Sequence, residues 1–193
     1  FIRYLLLKSD FDGRIINVDK LTYAGNPDNL ADIEKTNPAR YIFVKADICD
    51  SGAMAHVFKT YEIDAVCNFA AESHVDRSIT GPAEFIRTNV VGTFTLLEAA
   101  RNFWQHGYAS TIPPCFLHVS TDEVYGSIEE GYFKEGDPLE PNSPYSASKA
   151  GGEMMLRAYN VTYGMHTTVT RGSNTFGPYQ YPEKVAPFFI TEA

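Results

Sequence analysis

The chain lacks an excess of basic residues. It has 16 Lys and Arg against 24 Asp and Glu, so its formal net charge is −8 and its isoelectric point is near 5.1. Proteins that bind along nucleic acids need cations to neutralise phosphates, so this charge balance argues against a nucleic-acid partner. It does not exclude a single anionic nucleotide, which backbone N–H groups and a few basic side chains can hold.

Long apolar runs are also missing, because no stretch approaches the roughly 18 consecutive apolar residues of a transmembrane helix. We therefore expect no membrane partner. Cysteine is scarce, and Cys49, Cys67 and Cys115 are scattered without metal-ligand spacing. Since Cys67 and Cys115 lie in apolar runs, the pattern is typical of reduced core thiols in a cytoplasmic protein without a metal site.

No glycine-rich phosphate-binding turn occurs ahead of the first predicted strand. Residues 1–8 resemble the second half of an amphipathic helix without an N-cap, and residues 187–193 stop inside another predicted helix. We therefore expect the sequence to be part of a longer polypeptide. Within residues 1–193 there is no internal repeat, low-complexity segment or interdomain linker.

Short apolar runs alternate with helical segments along the chain. Strands are predicted at 14–19, 41–46, 64–70, 115–120 and 167–171; helices at 1–8, 28–35, 51–61 (capped by Ser51), 82–106 and 145–163; and loops at 71–78 and 128–143. The apolar stripe of the helix at 82–106 is predicted to contain Phe85, Val90, Phe94, Leu97 and Ala100. Alternation of continuous apolar strands with helices predicts an α/β fold, a doubly wound parallel sheet of the Rossmann type.

An acid ends each of the first two predicted strands. In dinucleotide-binding folds an acid about 20 residues after the glycine-rich turn holds the ribose 2′-OH, and counting back from Asp19 places that turn and the first strand before Phe1. Asp19 is therefore either a ribose-binding acid or a solvated residue at the end of a strand. Asp47 is likewise either an adenine contact or a solvated residue at the end of a strand. A carboxylate at the ribose repels a 2′-phosphate, which favours NAD over NADP, although Lys20 weakens this preference.

Tyr145 and Lys149 lie four residues apart on one predicted helical face. A nearby cation, like the charge of an oxidised nicotinamide, lowers the pKa of a phenol and makes it a usable base. Alone, the pair could equally flank a helix N-terminus at the surface. Thr121, at the end of a strand, supplies a hydroxyl that can hold a substrate oxygen while Tyr145 removes its proton.

These three residues match the Ser/Thr–Tyr–Lys arrangement of the extended short-chain dehydrogenase/reductases. Five stretches, 18–26, 70–78, 120–126, 141–149 and 177–184, closely resemble the dTDP-glucose 4,6-dehydratase family, and the resemblance covers nearly the whole chain. It implies that residues 1–193 are an NAD-binding domain with the start of the substrate-binding region near 172–193, and that the rest of the substrate domain is absent. Gly172, Thr175 and Phe176 depart from the family pattern without touching the proposed catalytic groups.

The resemblance implies an NAD-dependent lyase that oxidises C4 of dTDP-glucose, eliminates water across C5 and C6 and returns the hydride to C6. Tyr145 would be the base for oxidation, aided by Thr121 and Lys149. By the same resemblance, Asp122 is the acid for the departing hydroxyl and Glu123 the base at C5. On their own Asp122 and Glu123 could be a turn pair, but adjacent acids repel each other's ionised forms, which suits two distinct roles.

Further contacts are expected from the resemblance. Those to the cofactor are Asp19, Lys20, Thr22, Asp47, Ile48, Phe69, Ala70, Ala71, Tyr145 and Lys149. Those to the dTDP-sugar are Ser73, Thr121, Asn174 and Lys184, whereas His74 is either a ligand or an ordinary loop histidine. A homodimer through the helices at 82–106 and 145–163 is also expected.

Three alternatives stay open. A nucleotide-sugar 4-epimerase or decarboxylase of the same superfamily uses the Thr–Tyr–Lys set but needs no acid pair to expel water. A non-catalytic nucleotide-sugar-binding protein would keep the fold without needing the reactive groups. A structural protein would use the exposed faces of its long helices to pair with a partner.

Overall fold

The computed structural model describes residues 1–192, which form two compact units, 1–47 with the segment from Asn174 onward, and 48–173. The helices are α1 Ile2–Lys8, α2 Ala31–Thr36, α3 Ser51–Tyr61, α4 Val75–Thr80, α5 Pro82–Phe85, α6 Thr93–His106, α7 Pro144–Tyr163 and α8 Val185–Thr191. The strands are β1 Ile15–Asp19, β2 Tyr41–Lys45, β3 Ala65–Asn68, β4 Cys115–Thr121 and β5 Thr167–Gly172. Two 3₁₀ turns, Pro27–Leu30 and Asp122–Tyr125, and a π-helix, Ile86–Gly92, complete the set.

The first unit contains a parallel pair of strands. β1 pairs with β2 from Ile15 opposite Tyr41 to Asp19 opposite Lys45. Its core is formed by Leu6, Ile33 and Tyr41, with Ile2, Phe11, Ile15, Leu30 and Phe43 packed around them. The pairing brings the carboxyl ends of both strands, where acids were predicted, to the same edge.

The second unit contains three parallel strands in the order β3–β4–β5. Ala65 lies opposite Cys115, and at the other end of the sheet Thr121 lies opposite Gly172. Helix α7 packs on β4 and β5 and ends at Gly164, which adopts the left-handed conformation with φ 68° that glycine tolerates best. The predicted α/β class with parallel strands is therefore confirmed.

Several element boundaries differ from those predicted. Helix α3 is capped by Asp50, whose Oδ1 accepts from the Ala53 N–H at 2.9 Å, and not by Ser51, which is the first helical residue. Residues 75–78, predicted as the end of the polar loop 71–78, belong to helix α4, which buries Ser78 completely. The helix predicted at 28–35 begins as a 3₁₀ turn and becomes α-helical at Ala31.

The long helix predicted at 82–106 is interrupted by the π-helix. Its i→i+5 hydrogen bonds add residues to each turn, so the apolar stripe changes phase between α5 and α6. As a result Phe94, predicted to face the core, is 42 % exposed, whereas Phe85, Leu97 and Ala100 are buried as expected. The single 3.6-residue period therefore placed residues near both ends of the segment correctly but was wrong for Phe94.

The free thiols Cys49, Cys67 and Cys115 do not all lie in a core. Cys67 is exposed, because it lies on the same face of β3 as the exposed Ala65 two residues earlier. The prediction that Cys67 is a core thiol is therefore wrong. Among residues 1–192, no helix has both the length and the apolar character that crossing a membrane requires.

Candidate active site

The site is built at the carboxyl end of β4, where Thr121 ends the strand. Its side chain caps the turn Asp122–Tyr125, since Oγ1 accepts a hydrogen bond from the Glu123 N–H at 3.2 Å. The same hydroxyl lies 3.3 Å from Asp122 Oδ1, to which it donates. The buried Thr121 therefore fixes the start of the turn that carries both acids.

Tyr145 lies in the first turn of helix α7, which is fixed by a capping box. Pro144 occupies the first turn, and Ser143 and Ser146 form a reciprocal capping box in which each side chain binds the other residue's backbone N–H. Such caps stabilise a helix start by about 1 kcal/mol. The cap fixes the first turn of α7 and therefore the backbone of Tyr145.

The Tyr145 phenol lies within reach of Thr121 and the two acids. Burial, followed by the charge of Glu123, raises the pKa of Tyr145; a hydrogen bond with Thr121 opposes this rise and Asp122 adds to it. Its ring packs edge-on against Phe85, with centroids 6.4 Å apart. In the protein alone the pKa therefore moves opposite to the direction expected from the sequence.

Lys149 is buried one turn further along α7. Its Nζ donates to the Val119 carbonyl at 2.6 Å, and the side chain is only 3 % exposed. Burial lowers the pKa of Lys149 to about 8, while the Glu153 carboxylate partly offsets this effect. An ammonium group carries three donors, so the contact with Val119 leaves capacity for a ligand.

Asn89 was not predicted, yet it connects the loop after β3 to α7. Its Nδ2 donates to Ser148 Oγ at 2.8 Å and to the Glu72 carbonyl at 3.0 Å, while its Oδ1 accepts from the Glu72 N–H at 2.9 Å. The backbone of the loop that carries Ser73 is thereby held. The signal in the sequence was a polar residue within an apolar helical pattern. The structure places Asn89 in the π-helix, a geometry frequent at functional sites.

His118 was also missed, because it sits in the middle of a buried strand. Its ring is completely buried and its Nδ1 lies 3.2 Å from Asn68 Nδ2, an amide that also donates to Thr93 Oγ1. Burial, followed by the charge of Lys149, lowers the pKa of His118 to about 3. The imidazole is therefore neutral at physiological pH.

The predicted cofactor residues are divided between the two units. In the first unit Asp19 Oδ1 accepts from the Leu21 N–H at 2.7 Å, and Lys20 Nζ lies 3.4 Å from Asp47 Oδ2. Thr22 lies in the loop after β1, and Asn174 and Lys184 lie in the segment before α8. The structure brings Lys20 and Asp47 together, as parallel pairing of β1 and β2 requires.

In the second unit the remaining predicted residues follow β3 or precede α3. Phe69 is 52 % exposed, and Ala71 and Ser73 are half-buried in the loop after β3. Ile48 is buried, and a Cβ on Gly92 would lie 2.5 Å from its Cδ1. The Ile48 side chain is thus committed to packing, so any cofactor contact there would come from its backbone.

Comparison with known proteins places the chain in a family. It matches the GDP-mannose 4,6 dehydratase family over residues 1–193 and belongs to that family. It is 51 % identical over 190 residues to dTDP-glucose 4,6-dehydratase 1 of Escherichia coli (strain K12), covering 93 % of this chain and 52 % of that one. With dTDP-glucose 4,6-dehydratase of Haemophilus influenzae the identity is 48 % over 196 residues, covering 100 % and 56 %.

Solved structures agree with this resemblance. A dTDP-glucose 4,6-dehydratase from Streptomyces venezuelae, crystallised with NAD, is 47 % identical, has a TM-score of 0.87 and covers 99 % of this chain and 56 % of its own. A UDP-glucose 4-epimerase from Thermotoga maritima is 29 % identical with a TM-score of 0.75, covering 89 % and 51 %. The predicted resemblance to dTDP-glucose 4,6-dehydratases is confirmed, and the chain spans about half the length of the curated relatives it matches.

Proposed function

We propose that the protein dehydrates dTDP-glucose to the 4-keto-6-deoxy sugar, as an NAD-dependent hydro-lyase of deoxysugar biosynthesis. The observation that carries this proposal is the acidic turn Asp122–Tyr125, which follows Thr121 directly and whose charges act on the Tyr145 phenol. Oxidation and reduction alone would need only the hydroxyl, the phenol and the cation. Two acids beside them supply the acid and base that loss of water requires.

The resemblance to dTDP-glucose 4,6-dehydratases gives each residue its proposed task. Tyr145 takes the proton of the C4 hydroxyl while Thr121 holds the C4 oxygen. The resulting C4 ketone acidifies the C5 hydrogen, which Glu123 removes, and Asp122 protonates the C6 oxygen as water leaves. The raised pKa of Tyr145 in the protein alone means that a positive charge near the phenol is needed before it can act as a base near neutral pH.

The residues present fit NAD, which when bound supplies the hydride acceptor for C4 and the donor for C6. Lys149 is buried with donors to spare beyond Val119, and Ser120 Oγ, also buried, has no hydrogen-bond partner among residues 1–192. Asp19 offers a carboxylate at a strand end for ribose hydroxyls. We assign the other cofactor contacts to Lys20, Thr22, Asp47, the Ile48 backbone and residues 69–71, with Ser73, Asn174 and Lys184 contacting the dTDP-sugar.

We further propose that residues 1–193 belong to the cofactor-binding domain, with the substrate region beginning near residue 172. A cytoplasmic homodimer through the helical segments 82–106 and 145–163 is part of the same proposal. Both segments leave apolar side chains exposed, among them Val91 and Phe94 on the first and Met154 and Val161 on the second.

A 4-epimerase is the second candidate, and its support is the likeness to the Thermotoga maritima enzyme. Epimerisation oxidises and reduces C4 without breaking the C6–oxygen bond, so it leaves Asp122 and Glu123 without a task. The two candidates therefore differ in whether the product has lost water.

The experiment compares dTDP-, UDP- and GDP-glucose as substrates of the protein expressed at its natural length. We expect dTDP-glucose to give a 4-keto product, detected by its absorbance in alkali, without net release of NADH. A product that has only changed configuration at C4 would replace the dehydratase proposal with the epimerase one.

Two variants separate the steps of the reaction. Tyr145→Phe should abolish C4 oxidation, whereas Glu123→Gln should allow transient nicotinamide reduction and slow elimination by about 10²- to 10⁴-fold, the usual contribution of a general base. Glu129→Gln, which alters an exposed acid in the following loop, is the matched control and should behave as wild type. Normal turnover of Glu123→Gln would remove this residue from the mechanism.

A further inference from the structure

Arg171 connects three segments around the acidic turn. It lies opposite Ser120 in the β4–β5 pairing, so it emerges beside the end of β4. Its Nε and Nη2 donate to Glu153 Oε2 at 2.9 and 2.7 Å, and its Nη1 donates to Tyr125 Oη at 2.6 Å and to the Glu135 carbonyl at 3.1 Å. One guanidinium therefore joins α7, the last residue of the acidic turn and the loop that follows it.

The contact with Tyr125 fixes the far end of the acidic turn. The Arg171 guanidinium lies 4.9 Å from the centroid of the Tyr125 ring. The Phe133 ring also stacks on Tyr125, with centroids 5.1 Å apart and 12° between the ring planes. Thr121 caps the beginning of the turn. The two acids thus lie between two fixed ends, and Glu123 is only two residues from Tyr125.

The anchor of this arrangement is a buried acid. Glu153 is 2 % exposed, its Oε2 accepts both bonds from Arg171, and its buried Oε1 has no hydrogen-bond partner among residues 1–192. The free-energy cost of removing two opposite charges from water often cancels the attraction between them, and proteins with apolar side chains in their place can be equally stable. The pair is thus poorly explained by stability and better explained by the geometry it imposes.

Glu153 also lies one helical turn after Lys149. Its carboxylate acts on the buried ammonium and keeps the pKa of Lys149 from falling further. The Glu153 carboxylate therefore interacts electrostatically with Lys149, and it is connected to the acidic turn through Arg171. Arg171 is the connecting group.

We infer that Arg171, anchored on Glu153 and acting through Tyr125, is a positioning residue that holds Asp122 and Glu123 in register with α7 for the elimination step. The inference rests on the proposed dehydratase function. It predicts a defect mainly in the elimination step when the Arg171–Tyr125 contact is removed and Glu153 keeps its charge, because Thr121 and Lys149 make hydrogen bonds that do not include Arg171.

The mildest test is Tyr125→Phe, which keeps the ring and removes the oxygen that accepts from Arg171. We expect the rate of C4 oxidation, monitored by the transient absorbance of reduced nicotinamide, to stay within about threefold of wild type. Elimination should slow by about 10- to 100-fold, since displacements of about 1 Å have effects of that size. Arg171→Lys, which cannot reach both partners with a planar fork, should show the same pattern more strongly.

Tyr132→Phe is the matched control, because Tyr132 is 79 % exposed in the same loop and should leave both steps unchanged. Equal slowing of oxidation and elimination in Tyr125→Phe and Arg171→Lys, or no slowing in either, would overturn the inference. If the wild-type protein forms no 4-keto product, the proposed function itself fails. If it forms the product but the variants lack the step-specific defect, only the positioning role is lost.

Discussion

At the scale of single residues, the Thr121 hydroxyl serves more partners than it has protons. It accepts from the Glu123 N–H and has one proton to donate, for which Asp122 at 3.3 Å, Tyr145 and a substrate oxygen compete. The contact with Asp122 is long for a bond between oxygens. In the proposed reaction a substrate oxygen can therefore take the proton without large rearrangement, which releases Asp122 for its proposed role as the acid.

The neutral state of His118 predicts a specific acid sensitivity. Its pKa is about 3 in the folded protein against an ordinary value of 6.5, so the unfolded chain binds a proton below about pH 6.5 that the folded protein does not. The stability from neutral, buried His118 is fully present above pH 6.5 and is lost as the pH falls towards 3. The corresponding slope is about 1.4 kcal/mol of unfolding free energy per pH unit.

Denaturant unfolding of wild type and His118→Gln as a function of pH measures this slope. Below about pH 6.5, the unfolding free energy of the variant should fall less steeply with falling pH than that of wild type, by the slope that corresponds to one proton. The variant should also be less stable than wild type at neutral pH. His56→Gln, at an exposed position on α3, is the control for the same change of residue type away from the buried cluster. Parallel curves for wild type and His118→Gln would show that His118 binds a proton equally well in the folded and unfolded states, which contradicts the lowered pKa.

At the scale of elements, the strands and α7 were the most predictable parts. Each strand is an apolar run bounded by turn residues, and α7 has a proline near its start and a glycine after its end. Helix α4 was missed because its sequence, 75–80, is largely polar and its burial depends on residues distant in the chain. Asn68 and His118 are 50 positions apart, so no local pattern announces their contact.

The acids of the site were located from the sequence because parallel strands present their carboxyl ends at one edge. The direction of the Tyr145 pKa could not be predicted in the same way. It depends on burial against Phe85 and on the charges of Asp122 and Glu123, none of which spacing along a helix reveals. Spacing predicted which groups meet, but not the dielectric environment in which they meet.

The close approach of α7 to the π-helix depends on Gly152. A Cβ there would lie 3.0 Å from the Asn89 carbonyl oxygen and 3.2 Å from His118 Nε2. Glycine to alanine normally stabilises a helix interior by about 1 kcal/mol, but a backbone carbonyl cannot move aside cheaply. We expect Gly152→Ala to destabilise the protein by a net of about 1–2 kcal/mol through overpacking, measured by chemical denaturation.

Gly136→Ala is the control for this substitution. No atom lies within 4 Å of a Cβ built on Gly136, so its stability should change by less than about 0.5 kcal/mol. A Gly152→Ala variant as stable as wild type would mean that α7 can move away from Asn89. In that case the contacts from Asn89 to Ser148 and Glu72 would not hold α7 in place.

At the scale of the whole molecule, the proposed homodimer has a direct test. Val91 and Phe94 are 45 % and 42 % exposed on one helical segment, and Met154 and Val161 are 48 % and 72 % exposed on the other. Apolar groups concentrated on neighbouring helices typically mark an association surface. We expect a dimer in sedimentation velocity, and we expect Phe94→Glu combined with Met154→Glu to shift it to monomer, because each charge would be buried unpaired. Tyr132→Glu, at an exposed loop position outside both helices, is the control and should leave the dimer intact. A monomeric wild type would contradict this arrangement, and so would a double variant that remains dimeric.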